Sequence, residues 1–158
     1  MSSVPGEAPQ NSPDQAVLYE ERLWPSFWIW LIATGFSAAV IIMFAPISLF
    51  VGYGAAIVVA IIVFTLLFLS TPRIAVTPTT VTVGRATIDR SYLGSVAWFT
   101  GEDATQQRGP GLNGLAYLCI RGWISPVVRI ELTDPEDRTP YWLVSSRPPD
   151  QLTDALTS

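Results

Sequence analysis

The 158 residues are 49% hydrophobic and only 14% charged, with a mean hydropathy of +0.38, whereas a soluble globular domain carries roughly 25% charged residues; such a composition points to a membrane. Nine basic residues, every one arginine, stand against thirteen acidic ones for a net charge of -4, which gives nucleic acid no basic footprint to meet. A chain without histidine and with one cysteine excludes imidazole acid–base chemistry, an internal disulfide and a Cys/His zinc site.

The first residues carry Pro5, Pro9 and Pro13 among Gly, Ser, Asn and Gln, with little apolar surface to bury, and residues 1–18 are predicted to form a disordered tail. Between Arg22 and Arg73 there is no charged residue. That stretch exceeds one crossing of a roughly 30 Å hydrocarbon core, which takes about 20 residues of helix. The break falls at Ala45-Pro46-Ile47-Ser48, where proline removes a backbone donor and disfavours helix in the residue before it. A transmembrane hairpin is therefore predicted over residues 19–72, with spans at 26–45 and 49–70. The absence of a basic leading region argues against a cleaved signal peptide.

Gly35 and Ala39 on the first span, and Gly52, Ala56 and Ala60 on the second, follow the small-xxx-small spacing that lets helices approach closely. They are assigned to packing between the two spans, with contact to a partner helix or a second copy as the other use of the same pattern. Tyr19, Trp24, Trp28 and Trp30, followed by Arg73 after the second span, are read as interface anchors whose rings bury while their polar atoms stay at the headgroups. Arg22 precedes the spans and Arg73, Arg85 and Arg90 follow them, with none in the turn. The positive-inside rule then places both termini in the cytoplasm of a cell whose inner membrane holds the hairpin, and the lone Cys119 suits a reducing compartment.

From Arg73 onward the texture changes to short alternating runs, predicting strands at 74–77, 81–84, 86–89, 95–99, 116–121, 127–133 and 141–145. Clusters such as Thr77-Pro78-Thr79-Thr80 and Thr133-Asp134-Pro135-Glu136-Asp137 supply the turns, and Leu152, Ala155 and Leu156 at helical spacing after Pro148-Pro149 predict a terminal helix over 150–156. Seven antiparallel strands capped by one helix, in residues 73–158, suggest a pleckstrin-homology-like barrel or half-barrel; an antiparallel sheet under one helix is the alternative.

Several segments, Tyr19-Glu20-Glu21-Arg22-Leu23-Trp24-Pro25, Arg121-Gly122-Trp123, Val128-Arg129-Ile130-Glu131-Leu132-Thr133-Asp134-Pro135 and Pro140-Tyr141-Trp142-Leu143-Val144-Ser145-Ser146-Arg147-Pro148, together resemble a family of small two-span actinobacterial membrane proteins. The family is known as a domain of unknown function and includes the alanine-rich transmembrane proteins of mycobacteria. The resemblance covers the chain beyond its tail. It implies an actinobacterial source and a membrane-anchored cytoplasmic domain, and it brings no catalytic residues.

Gly109-Pro110-Gly111-Leu112-Asn113-Gly114 matches the dinucleotide fingerprint G-x-G-x-x-G, but the strand-like run after it denies the helix that must receive the pyrophosphate. Residues 101–114 are predicted to be a mobile surface loop. Glu102-Asp103 and Glu136-Asp137 read as solvated turn acids, Cys119 reads as a small core residue, and serine hydroxyls lack an activating base. No cofactor, metal or enzymatic activity is expected. Arg121, Trp123, Arg129, Tyr141, Trp142 and Arg147 are the residue types enriched in binding hot spots and form the candidate partner surface, set against the simpler reading that Trp142 is core and the arginines pair on the surface. The functional expectation is a membrane-anchored binding module, an accessory or scaffold subunit meeting membrane lipids and a protein partner. Lipid-headgroup sensing is the alternative, favoured by Arg73, Arg85 and Arg90 and weakened by the neutral first strand connection at Thr77-Pro78-Thr79-Thr80.

Overall fold

The computed structural model describes residues 16–158; most of the expected tail, residues 1–15, lies outside them. Strand β1 (Tyr19–Arg22) leads into helices α1 (Phe27–Phe44) and α2 (Leu49–Leu69). Strands β2 (Arg73–Val76), β3 (Thr80–Val83), β4 (Ala86–Asp89) and β5 (Leu93–Phe99) follow, then helix α3 (Gly101–Arg108), strands β6 (Tyr117–Cys119), β7 (Val127–Leu132) and β8 (Tyr141–Ser145), and helix α4 (Pro149–Thr157).

Helices α1 and α2 have 18 and 21 residues and are long and apolar enough to cross a membrane. The turn between them closes where the sequence predicts, with the Ile47 and Ser48 amides donating to the Phe44 carbonyl. The pair is antiparallel, and T-shaped aromatic contacts join Trp30 to Phe64 and Trp24 to Phe68 across it. Gly52 and Ala56 are the buried residues of α2, as the small-residue spacing suggests. On α1 the buried face is Ala33 and Ser37, not Gly35 and Ala39, which face outward. The correction has a steric cause: a Cβ on Gly52 would lie 3.0 Å from the Ile41 carbonyl oxygen, and Ile41 follows Ala33 and Ser37 at four-residue steps on one helical face. Nothing lies within 4 Å of a Cβ on Gly35. Ser37 satisfies its hydroxyl internally, donating to the Ala33 carbonyl.

The residues after Arg73 fold as the alternation predicts, in seven strands and a terminal helix, and strand β1 adds an eighth strand from before the helices. The first sheet has the order β1-β2-β3-β4 and is antiparallel throughout. Tyr19 pairs with Val76 and Arg22 with Arg73, so the helical hairpin is an excursion between two neighbouring strands. The second sheet has the order β5-β7-β8-β6, and β6 runs parallel to β8, against the expectation of antiparallel pairing throughout. The chain reverses between β6 and β7, but β8 inserts between them antiparallel to β7, and must therefore run alongside β6.

Inward residues of both sheets, among them Ile74, Val76, Val81, Val83, Val128, Ile130, Trp142 and Val144, form the main core, closed by Leu152 and Leu156 of α4 and by Leu23 ahead of α1. A second cluster lies on the other face of the second sheet. There Ala104 of α3 packs with Val127, Tyr141 and Leu143, under Leu112 and Ala116. Central strand β8 is thus covered on both faces and buried along its whole length. The predicted mobile loop is corrected here: residues 101–108 are helical, with Glu102 and Asp103 in the first turn and Arg108 in the last, matching the helix dipole. Gly109 terminates that helix, its amide donating to Gln106.

Gly52→Val is expected to destabilise the hairpin by about 1–3 kcal/mol. Gly35→Ala should leave it within about 1 kcal/mol, in the stabilising direction. Reversible unfolding in detergent micelles measures both.

Candidate functional site

The site is the seam where the helix pair leaves the first sheet. On the α1 side, Glu21 points back into the domain and its carboxylate accepts three hydrogen bonds: from the Tyr19 hydroxyl at 2.9 Å, the Ser146 hydroxyl at 2.6 Å and the Arg147 amide at 2.9 Å. The Arg147 guanidinium reaches in the opposite direction, donating to the Trp24 carbonyl and, at 3.5 Å, to the Arg22 carbonyl. Beside them the Leu23 amide donates to the Pro72 carbonyl at 3.1 Å, continuing the β1–β2 ladder one step toward the helices. On the α2 side, Arg121 Nε donates at 3.0 Å to the carbonyl of Ser70, the residue that caps α2. A cation there complements the negative end of the helix dipole. Two arginines from the second sheet's connections thus fasten both ends of the hairpin to the domain.

Next to Arg121 lies a cavity of about 460 Å³, lined by Leu69, Ser70, Thr71, Pro72, Arg73, Gly84, Arg85, Tyr117, Leu118, Cys119 and Arg121. Gly84 has φ +62°, and with Arg85 it makes the two-residue turn joining β3 to β4, a glycine position typical of tight hairpins. Tyr117 donates to the Val83 carbonyl at 3.1 Å and fixes that turn. Arg73 is bound to Glu20 through Nε and Nη2, both at 2.8 Å. Burial pushes the Cys119 thiol above its ordinary range, and the nearby Arg121 offsets this only in part. A thiol so held is a weak nucleophile, in keeping with its reading as a core residue.

The structure divides the predicted partner residues. Trp142 and Tyr141 are buried, 4% and 3% exposed, in the main core and the second cluster respectively. Arg129 stacks 4.1 Å above the Tyr141 ring and pairs with Glu131 at 3.3 Å. Trp123 is half-buried against the main core. Arg121 and Arg147 are committed to the seam, so the six do not form one exposed patch. Among the predicted anchors, Trp24 and Trp28 are exposed at the start of α1 and Trp30 is half-buried against α2. Tyr19 is corrected: it lies in β1 against the core. Burial, ahead of its contact with Glu21, drives its phenol well above the usual range. Arg90 is corrected too. It sits at the end of the domain away from the helices, donating to the Thr77 carbonyl and to the last carbonyls of α4. Glu21, Gly84 and Leu23 were not anticipated. Their signal was present only as an inward-alternating Tyr19 and Glu21 and as Gly84-Arg85 between two β-branched runs.

The chain belongs to the family described as a protein of unknown function (DUF3093), whose sequence profile matches residues 18–156. No curated protein and no solved structure matches it.

Glu21→Ala strands three donors and is expected to destabilise the seam by about 1–3 kcal/mol, read as faster hydrogen exchange at the β1 and β2 amides. A phenol whose folded pKa is raised contributes stability that is complete below its ordinary value of about 10 and is lost as pH rises beyond it. Stability should therefore fall above about pH 10, and Tyr19→Phe should flatten that alkaline limb in a pH series of thermal unfolding.

Proposed function

We propose that this protein is a non-enzymatic, membrane-anchored binding module, an accessory or scaffold subunit whose hairpin crosses the inner membrane and holds the β domain against the cytoplasmic leaflet. The observation that carries the reading is the outward face of the helices. Only 11% of each apolar 18-residue window is buried, whereas a core helix of a soluble protein is buried over most of its length. Phe36, Ile42, Phe50, Ile57 and Ile61 are all more than half exposed, a surface that lipid tails would cover.

Pairing of β1 with β2 supports two crossings rather than one, since both flanks of the hairpin then lie on one side. The orientation rests on arginine placement. Arg22, Arg73, Arg85, Arg121 and Arg147, five of the chain's nine, gather at the helix end of the domain, and the turn between the helices holds none, in line with the positive-inside rule. Two four-stranded sheets enclosing a core that a terminal helix closes support a pleckstrin-homology-like half-barrel, from which the parallel β6 departs. Gly35 and Ala39, left outward, offer the close approach that a partner's helix or a second copy would use.

Two measurements test this. Ser48→Cys should label from outside intact cells with a membrane-impermeant maleimide while Ser158→Cys does not; the opposite pattern overturns the orientation. Mild detergent should release an assembly well above 17.3 kDa that Gly35→Leu reduces to the monomer, and a monomeric wild-type extract overturns the subunit role.

A further inference from the structure

We infer that the cavity at the end of α2 is a binding site for the phosphate of an anionic lipid headgroup, an inference resting on the reading that α2 spans the bilayer. Three of its lining residues are arginines, Arg73, Arg85 and Arg121, and none is acidic. Glu20 lies against Arg73 and leaves a local excess of two positive charges. Arg85 has no ion partner among the described residues and is exposed on the β3–β4 turn. Arg121 spends Nε on Ser70 and Nη1 on Ile120, which leaves Nη2 for a ligand. Guanidinium groups converging from different elements are the donors that suit a phosphate's geometry.

Position selects the lipid over a soluble phosphate. Leu69 through Pro72 are the last turn of α2 and its exit, so a membrane-spanning α2 places the cavity at headgroup level. The lining also includes Leu69 and Leu118, 75% and 44% exposed, so apolar surface stands beside the arginines, a combination that matches an amphiphile. The bare carboxyl end of α2 would repel an anion, and Arg121 covers that end. The neutral Thr77-Pro78-Thr79-Thr80 turn, which argued against headgroup binding, lies at the opposite end of β2 from the helices; the connection facing them is Gly84-Arg85.

The test uses the full chain in uncharged detergent, with thermal unfolding followed as lipid is added. Phosphatidylglycerol should raise the unfolding temperature saturably, phosphatidylcholine should not, and Arg85→Glu should raise the half-saturating phosphatidylglycerol about tenfold or more. Arg138→Glu makes the same charge change on an exposed turn at the far end of the domain and should bind as the unaltered chain does. Equal losses in both variants would mean bulk electrostatics and overturn the site, as would no response to phosphatidylglycerol. Inorganic phosphate is the second probe: protection by millimolar phosphate equal to that by lipid overturns the lipid assignment in favour of a soluble ligand. Carbonate washing of native membranes separates the two levels, because a chain that stays in the membrane yet ignores phosphatidylglycerol refutes the site alone, whereas a chain released by carbonate refutes the spanning hairpin.

Discussion

Everything in this molecule is arranged around one geometric mismatch. Packed helices sit about 8–10 Å apart, while neighbouring strands sit about 4.8 Å apart, and here the two ends of one helix pair continue directly into two paired strands. The chain resolves the difference in a few residues on each side, with Pro25 buried ahead of α1 and Pro72 accepting from Leu23 ahead of β2. Proline suits both places because neither needs its missing donor. Glu21, Arg121 and Arg147 then tie these short connectors to the second sheet, so the helices and the domain share one framework rather than a flexible tether.

That arrangement changes what the arginines mean. In a sequence, Arg121 and Arg147 beside tryptophan and tyrosine look like recognition residues, because such residues are enriched where proteins meet. In the fold their hydrogen bonds go to backbone carbonyls at the end of α2 and in the bent connector ahead of α1, places where a carbonyl left without a partner is costly. Arg90 does the same for α4. The guanidinium groups serve the chain's own backbone first, and beside α2 the capacity left over lies at Arg85 and the free edge of Arg121.

The sequence was most legible where one physical signal dominates. Uniform hydrophobicity interrupted by Pro46 placed both helices to within a residue, and period-two alternation located every strand after Arg73. It was least legible where partners are distant. Tyr19-Glu20-Glu21-Arg22 reads as a charged flank of an apolar segment, because the groups that make it a strand and turn Glu21 inward, at Val76, Ser146 and Arg147, lie far along the chain. The face of α1 was misread for another reason: that helix is apolar all round, so periodicity cannot choose between Gly35 with Ala39 and Ala33 with Ser37, and only the seating of Ile41 on Gly52 decides. Helix α3 carried a readable signature, acids first, arginine last and glycine beyond, but its polarity and the following glycines drew it toward a loop.

The separation between β1 and its partner also dictates an order of events. Tyr19 must wait for Val76, 57 positions later, so the first strand to be synthesised cannot find its neighbour until both helices have been made and have folded back. In the arrangement proposed, a chain whose second helix stalled would leave β2 and the rest of the domain across the membrane from β1, with the edge of β2 bare, a surface prone to pairing with other chains. Completion of the sheet would then report that both crossings succeeded, giving quality control a visible mark of failed insertion.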